Sequence, residues 1–344
     1  MSGGVDSAVC AMLIRDAGYD AFGATMRLCR PCFVCGDREI EQDIADAGRI
    51  CQALGIEHKI YDLAEQFKRD VISPFIDTYI SGGTPNPCID CNRHLKFGAL
   101  LYATRLDGAD MIATGHYARI ERDGSGRYLL RRATDEKKDQ SYVLWTLTQD
   151  ILSRSIFPLG SLTKDEARDI ALSRGLENAH KRDSQDICFV PDGDYASFIE
   201  NYTGKKFECG DYIDEQGNIL GKHKGVIRYT IGQRKGLGIS LGRHVFVKEK
   251  DAEKNTVTLC DEEALLSSRI KISDVNLIPF NSLNAPIRVK AKLRYRQAPA
   301  SATLHSMGDG KAILEFDCPQ RAAAKGQSAV FYDGDYVIGG GIIN

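Results

Sequence analysis

The spacing of apolar residues changes character near residue 198, and this change constrains the fold of the 344-residue chain more than any other feature. Before it, helical periodicity alternates with short apolar runs, which predicts an α/β fold with a doubly wound parallel sheet. After it, short period-two runs separated by glycine dominate, which predicts a small β-barrel or sandwich. The predicted domains are an α/β domain over 1–198, a small central domain over 199–250 and a C-terminal β domain over 251–344.

Apolar spacing also bounds single elements of the first part. Strands are predicted over 19–28, 58–63 and 110–116. Helices are predicted over 6–18, 40–54, 64–80 and 91–106. Gly18 is expected to end the first helix, and Pro74 to interrupt the third. The inward face of the fourth helix is predicted to contain Leu95, Gly98, Ala99, Tyr102 and Leu106.

Lysine and arginine are concentrated in two stretches of a chain whose formal net charge is only -2. In 222–250 eight basic residues meet one acidic residue, and in 286–297 five basic residues meet none. Alternation from Arg288 to Arg296 is expected to place those five on one face of a strand. A solvated outer face is the simpler interpretation, but two such stretches in one half of the chain favour contact with a nucleic-acid backbone.

Eleven cysteines in a chain of this length do not suggest a secreted disulfide framework. The N-terminus shows no secretion signal, and no apolar run approaches the roughly 20 residues that span a bilayer. The protein is therefore predicted to be cytoplasmic, with reduced thiols and no membrane partner.

Residues 2–7, Ser-Gly-Gly-Val-Asp-Ser, lead directly into the first predicted helix. Adjacent glycines let the backbone approach a ligand, and a helix N-terminus offers free N–H groups to an anion. A helix start capped by Ser2 or Asp6 is the structural alternative. The segment carries the signature of the PP-loop ATP pyrophosphatases, which split ATP between the α- and β-phosphates and adenylate a substrate oxygen. In that fold a strand leads into the loop, so a first strand is expected upstream of Met1.

Ten of the eleven cysteines fall into three groups, and the eleventh, Cys88, lies three residues before Cys91. Cys91 opens a predicted helix, a position that lowers a thiol pKa and suits a nucleophile or metal ligand; Cys188 is a second candidate. The spacing Cys29-x-x-Cys32-x-x-Cys35 is compatible with a structural metal site, with a sulfur relay or with no metal. In a metal site, Cys51 or His58 would supply the fourth ligand. We interpret the remaining cysteines as small buried apolar residues: Cys10, Cys51, Cys209, Cys260 and Cys318.

Eight ordered motifs are similar to those of the tRNA-specific 2-thiouridylases, the MnmA/TrmU family, over essentially the whole chain. They are SGGVDS (2–7), TPNPCIDCN (84–92), ATGHYARI (113–120), DQSYVLW (139–145), SQDICF (184–189), YTIGQRKGLGI (229–239), RYRQAP (294–299) and GQSAVFYDGD (326–335). The resemblance implies a PP-loop domain of the adenine nucleotide alpha hydrolase-like type, a small central domain and a C-terminal β-barrel that binds tRNA.

The resemblance also implies a sulfurtransferase that uses ATP and Mg²⁺ to adenylate O2 of the wobble uridine in tRNA before sulfur replaces it. Cys91 matches the nucleophile, and Cys188 matches the persulfide carrier supplied by a cysteine desulfurase or a carrier protein. The implied ATP site consists of Ser2, Gly3, Gly4, Val5, Asp6, Ser7, Met26 and Gly115. The implied tRNA contacts are Asn86, Pro87 and Cys88 at the target base, with His116, Lys138, Asp139, Gln140, Arg294, Tyr295 and Gln327 elsewhere.

Cys88 departs from the family pattern, in which aspartate is common at this position. Three thiolates, from Cys88, Cys91 and Cys188, would suit a [4Fe–4S] cluster with one open iron. We therefore hypothesise a cluster-dependent mechanism beside the persulfide mechanism.

Simpler interpretations stand beside these assignments. His116 could cap a strand end, Tyr295 could pack on a β face, and Lys138 could be an ordinary surface lysine. Two other functions explain part of the sequence. A PP-loop ligase or amidotransferase acting on a small molecule leaves the basic stretches unexplained, and a zinc-stabilised RNA-binding protein leaves the phosphate loop unexplained.

Overall fold

The computed structural model describes residues 1–29, 37–176 and 187–344. Cys32 and Cys35 of the predicted second cysteine cluster lie outside these ranges. The chain separates into two compact units. The first unit comprises Met1–Val71, Cys88–Pro191 and Asp335–Val337, and the second comprises Ile72–Pro87, Asp192–Gly334 and Ile338–Asn344.

The helices fall mainly in the first half of the chain. Among the described residues the α-helices are α1 (Val5–Asp16), α2 (Asp37–Leu54), α3 (Ala64–Phe67), α4 (Ser73–Ile80), α5 (Pro87–Asp90), α6 (Leu101–Leu106), α7 (Gln149–Ser153), α8 (Lys164–Ser173) and α9 (Tyr195–Thr203). The π-helical segments are Lys68–Ile72 and Cys91–Leu100, and the 3₁₀ turns are Ser141–Leu144, Pro158–Ser161, Val226–Arg228 and Glu262–Leu265.

The strands are short in the first unit and longer towards the C-terminus. In chain order they are β1 (Gly23–Arg27), β2 (His58–Asp62), β3 (Ile112–Ala113), β4 (Ala118–Arg122), β5 (Tyr128–Arg132), β6 (Ser155–Ile156), β7 (Gly210–Ile213), β8 (Ile219–His223), β9 (Phe246–Asp251), β10 (Thr256–Cys260), β11 (Leu266–Leu277), β12 (Ile287–Lys292), β13 (Ala300–Gly308), β14 (Lys311–Arg321), β15 (Ser328–Asp333) and β16 (Tyr336–Ile343).

The first unit is built on parallel strand pairs and the helix that follows the phosphate loop. Strands β1 and β2 pair in parallel, as do β3 and β6. Helix α1 buries Val5, Ala8, Val9 and Met12, the spacing of one helical face, in a core shared with α8. The predicted α/β class with parallel strands is confirmed.

The second unit contains a four-stranded sheet, ordered β8-β7-β10-β9, and a closed barrel. The barrel strands follow the order β11-β14-β13-β12-β15-β16, and β16 pairs back to β11. Alternate residues of these strands, such as Ala302, Leu304, Leu314 and Phe331, fill the interior because successive side chains of a strand point to opposite faces. The predicted C-terminal β-barrel is confirmed.

The helical residues from Ala64 to Ile80 form three consecutive segments, α3, the π-helical Lys68–Ile72 and α4, and Pro74 lies in the first turn of α4, where its missing N–H is not needed. One local prediction about a helix was wrong. Tyr102 and Leu106 were predicted to face inward, yet they are 67% and 72% exposed. The π-helical segment before them has more residues per turn, so the buried face rotates towards Phe97, Leu100 and Leu101.

Two predictions about single side chains of the β-rich half also require correction. Cys209 and Cys318 are exposed rather than buried, whereas Cys10, Cys51 and Cys260 are buried as expected. The outward basic face of β12 contains Arg288 and Lys290, but the strand ends at Lys292, so the five basic residues do not share one strand.

The rotated helix face can be tested with two identical substitutions. Leu95 is fully buried, so we expect Leu95→Ala to lower the free energy of unfolding of the first unit by about 2–5 kcal/mol. Leu106→Ala should change it by less than about 0.5 kcal/mol, because the side chain is largely solvated. Urea unfolding measures both. Equal losses of unfolding free energy would show that both leucines are buried, as regular α-helical spacing predicts.

Candidate functional site

The phosphate loop has the geometry of an anion site. Gly3 adopts a φ of +67°, and a Cβ there would lie 2.8 Å from the Asp43 carbonyl oxygen, so only glycine fits without a shift. Gly4 is the N-cap residue of α1, and among the described residues no side-chain hydrogen bond caps this end of the helix. The Ser7 hydroxyl donates to the Gly4 carbonyl at 2.9 Å and closes the loop on itself. The alternative of a helix capped by Ser2 or Asp6 is therefore not what the structure shows.

The Asp6 carboxylate is bound by two residues distant in sequence, Lys164 and Tyr117. The Lys164 ammonium donates to both carboxylate oxygens, at 2.8 and 2.9 Å, and the Tyr117 hydroxyl donates at 2.9 Å. Lys164 is only 5% exposed and stands at the start of α8, after a capping box formed by Thr163 and Glu166. Lys164 is not among the residues that the sequence predicted for the site. The Thr-x-x-Glu capping signal marks the start of α8, but it does not indicate that Lys164, the first residue of this helix, bonds to Asp6.

Gly115 and His116 follow β3 and connect the phosphate loop to the helix that carries the thiols. A Cβ on Gly115 would lie 2.8 Å from the main chain of Asp6, so the two segments are in direct backbone contact. The His116 ring packs 5.8 Å from the rings of Phe97 and Phe157, and its Nδ1 lies 2.8 Å from the Thr114 hydroxyl. Burial, with a smaller effect of the Lys96 charge, holds the pKa of His116 well below its usual value, so the ring is neutral near pH 7.

Cys88 and Cys91 lie one turn apart at the start of the helical run that begins at Pro87, and residues three apart on a helix are neighbours. Burial raises the pKa of the Cys91 thiol, and of Cys88 although that residue is exposed overall. The Lys96 ammonium acts in the opposite direction on both thiols. The expected lowering of the Cys91 pKa was wrong, because burial of the thiol raises it. Cys91 also follows the short helix Pro87–Asp90 and is not the first residue of the helical run.

Cys188 is exposed and lies next to Phe189, whose ring packs edge-on against Phe67 at 5.6 Å. Within residues 1–29, 37–176 and 187–344, no three His, Cys, Asp or Glu side chains are grouped as a metal ion would require. The thiols of Cys88, Cys91 and Cys188 therefore do not form a preassembled cluster site. Of the two suggested fourth ligands of a metal at Cys29, Cys32 and Cys35, Cys51 is buried and His58 Nε2 lies 2.8 Å from the Thr25 hydroxyl.

The segment 138–140, predicted to contact tRNA, mainly makes contacts within the first unit. The Asp139 carboxylate is buried and accepts from the Ala133 N–H at 3.1 Å and from the Ser141 hydroxyl at 3.0 Å. The Gln140 side-chain oxygen accepts from the Tyr117 N–H at 2.9 Å. Lys138 is half-buried.

Met26, which was predicted for the ATP site, lies on β1 and is half-buried.

In the second unit, Gln327 and Arg294 also bond to backbone carbonyls. The Gln327 amide nitrogen donates to the carbonyls of Thr84 and Pro85, at 2.9 and 3.2 Å. The Arg294 guanidinium donates to those of Ile231 and Ala322, at 3.1 and 2.8 Å. Tyr295 beside it is 37% exposed and lies beyond the end of β12, so it is not on a strand face.

Several residues of the basic stretches are paired with acids that are distant in sequence. Four residues of 222–250 form such ion pairs: Lys222 with Asp211, Arg228 with Glu200, Arg243 with Asp261 and Lys248 with Glu215. Arg288 of the second stretch pairs with Asp317 at 2.6 Å. The local excess of positive charge is thus smaller in the fold than along the sequence.

The influence of Lys96 on the thiols can be measured directly. Lys96→Met removes a cation that favours the thiolates, so the pKa of Cys91 should rise and its alkylation by iodoacetamide at pH 8 should slow. The rate is followed by mass spectrometry of the Cys91 peptide across a pH series, with Lys59→Met as the control lysine of the first unit. Superimposable pH profiles for the two variants would contradict the assignment.

Comparison with known proteins agrees with this geometry. Family models match three consecutive parts of the chain: the tRNA methyl transferase HUP domain over residues 1–192, the tRNA methyl transferase PRC-barrel domain over 196–261 and the aminomethyltransferase beta-barrel domain over 267–343. No helix among the described residues is long and apolar enough to cross a membrane.

The similarity extends over entire relatives. Proteins named tRNA-specific 2-thiouridylase MnmA from Clostridioides difficile, Treponema denticola and Clostridium acetobutylicum are 47%, 49% and 45% identical to this chain. Each alignment covers 100% of this chain, and 96%, 96% and 98% of the respective relative. With a phosphate loop, a thiol pair and a C-terminal barrel in place, the chain belongs to the family of tRNA-specific 2-thiouridylases.

Proposed function

We propose that this protein replaces O2 of the wobble uridine of tRNA with sulfur at the expense of ATP, and so acts as a tRNA sulfurtransferase. The observation that carries the proposal lies in the first unit, where an open helix N-terminus and a thiol pair are linked through Gly115, His116 and Lys96. Full-length relatives named 2-thiouridylases support the same reaction.

The loop Ser2–Ser7 is proposed to bind the phosphates of ATP, with Met26 and Gly115 beside the nucleotide. The N–H groups at the start of α1 suit a phosphate because a helix N-terminus carries a partial positive charge. A carboxylate is the donor that Mg²⁺ prefers, but both oxygens of Asp6 already accept from the Lys164 ammonium, so Asp6 does not fit a Mg²⁺ ligand as it stands and no step is derived through the ion. Transfer of AMP to O2 releases pyrophosphate and converts that oxygen into part of a better leaving group.

Sulfur transfer is proposed to use Cys188 and Cys91. A cysteine desulfurase or a carrier protein loads Cys188 as a persulfide, whose terminal sulfur attacks C2 of the adenylated base while the C2–O bond breaks and AMP leaves. The Cys91 thiolate then attacks Sγ of Cys188. The S–S bond breaks, its electron pair stays with the sulfur on C2, and a Cys91–Cys188 disulfide forms, which a dithiol reductant returns to two thiols. A reducing cytoplasm suits this cycle.

The proposed tRNA contacts divide into two groups. Asn86, Pro87 and Cys88 would lie beside the target base, with Tyr295 and Lys138 as surface contacts. The buried or backbone-bonded residues would shape the binding surface rather than present free donors to RNA: His116, Asp139, Gln140, Arg294 and Gln327.

A [4Fe–4S] cluster on Cys88, Cys91 and Cys188 is the second mechanism. The three thiols do not form a metal-binding group in the described part of the chain, so the residues do not fit the cluster as they stand and we derive no step through it. Iron and acid-labile sulfide in anaerobically purified protein, with absorbance near 400 nm, would favour the cluster over the persulfide.

Pyrophosphate release tests the overall proposal. We expect ATP to yield pyrophosphate only when unmodified tRNA is present, and 2-thiouridine to appear when a persulfide donor is added. Release with a small amine acceptor instead of tRNA would favour a PP-loop ligase. No release under either condition would favour an RNA-binding protein without enzymatic activity.

The roles proposed for Cys91 and Cys188 predict variants that lose thiolation but still bind tRNA. Cys91→Ser and Cys188→Ser should abolish 2-thiouridine formation, because each removes a sulfur from the transfer, while the affinity for tRNA remains within about twofold. Thiolation is measured by nucleoside mass spectrometry, and binding by filter retention. Thiolation that persists in Cys188→Ser would overturn the role given to that residue.

A further inference from the structure

The segment that leads to the proposed base-contacting residues is held at its start by a buried lysine. Lys250, on β9, is 7% exposed, and its ammonium donates to the Gly83 carbonyl at 3.1 Å. The ammonium also lies 5.6 Å from the centre of the Tyr79 ring, which stacks on Tyr195 at 4.4 Å. In the described part of the chain no carboxylate forms an ion pair with Lys250, and burial lowers its pKa to about 8.

Gly82 is in contact with the same strand. Its φ is +85°, and a Cβ there would lie 2.8 Å from the carbonyl oxygen of Lys250. Lys250 thus contacts two consecutive residues. Its carbonyl oxygen lies close to Gly82, and its ammonium bonds to the Gly83 carbonyl.

The C-terminal part of the second unit holds the next two residues. The Thr84 N–H donates to the Lys325 carbonyl at 2.8 Å, and the Gln327 amide nitrogen donates to the carbonyls of Thr84 and Pro85. The buried Thr84 hydroxyl has no hydrogen-bond partner among the described residues, so backbone bonds rather than its side chain fix this position. Residues 82–85, which we call the clamped segment, are therefore bound from two sides immediately before Asn86.

We propose that Lys250 is a positioning residue for tRNA thiolation: by holding the clamped segment, it sets where Asn86, Pro87 and Cys88 meet the target base. An apolar side chain would fill the same space without the cost of removing an ammonium from water. It could not bond to Gly83, and the segment would lose its anchor on β9. The inference rests on the function proposed above.

The first test compares two lysine variants of the full chain. Lys250→Met keeps the side-chain length and removes the donor, and Lys254→Met alters an exposed lysine of the turn after β9. We expect Lys250→Met to speed hydrogen exchange of the Thr84 amide at least about tenfold. Its kcat for thiolation should fall about tenfold or more, because small displacements of reacting groups cost rate. The Kd for tRNA should stay within about twofold, and Lys254→Met should match the wild type throughout.

A second pair of variants tests the same contact by changing the clamped segment instead of Lys250. Its result does not depend on the stability of the Lys250→Met protein. Gly82→Ala adds a methyl group against the Lys250 carbonyl, whereas Gly18→Ala adds one at a φ of +84° where no described atom lies within 4 Å. Both glycines stand two residues after a helix end and carry the same backbone strain. Only Gly82→Ala should reproduce the exchange and kcat changes.

Wild-type exchange and kcat in both Lys250→Met and Gly82→Ala would overturn the positioning role. A fall in kcat that is matched by weaker tRNA binding and a lower melting temperature, with no faster exchange at Thr84, would also overturn it. Failure of the wild-type protein to form 2-thiouridine would refute the proposed function instead, and the exchange data would still report whether Lys250 holds the segment.

Discussion

The pairing of Asp6 with Lys164 decides how the nucleotide side of this molecule is organised. A carboxylate in the first turn of a helix would ordinarily be attracted to the N–H groups of that turn. Here Lys164 and Tyr117 bind it instead, and no side-chain hydrogen bond among the described residues caps the start of α1. Tyr117 directly follows Gly115 and His116, so the residue that binds Asp6 adjoins the segment that contacts both the phosphate loop and Phe97.

Patterns that depend on neighbouring residues were predictable. The first helix and the α/β class with parallel strands follow from apolar spacing within each element, whereas that spacing left a barrel and a sandwich equally open and only the family resemblance implied the barrel. The π-helical segment was not predictable, because nothing in the local spacing marks the change in residues per turn that exposes Tyr102 and Leu106. The motifs located the phosphate loop and Cys91, but the partners of Asp6 and Gly83 are 158 and 167 residues away in sequence.

Buried lysines perform distinct tasks that a count of charges does not reveal. Lys164 neutralises a carboxylate at the phosphate loop, and Lys250 bonds to a carbonyl without any acidic partner among the residues described. Half-buried Lys96 favours thiolates in a setting that otherwise disfavours them. Meanwhile five of the thirteen basic residues in the two basic stretches form ion pairs with acids, and exposed ion pairs contribute little to stability. The informative cations are therefore those that the fold takes out of water.

The bond from Gln327 to Thr84 joins residues that are 243 positions apart. During synthesis the phosphate loop and Cys91 leave the ribosome early, but the segment before Asn86 cannot acquire its second anchor until the barrel strands have been made. Under the proposed function, a partly synthesised chain would therefore carry Cys88 and Cys91 while the segment before Asn86 is not yet anchored. The ability to modify tRNA would then arise late, once nearly the whole polypeptide has been made.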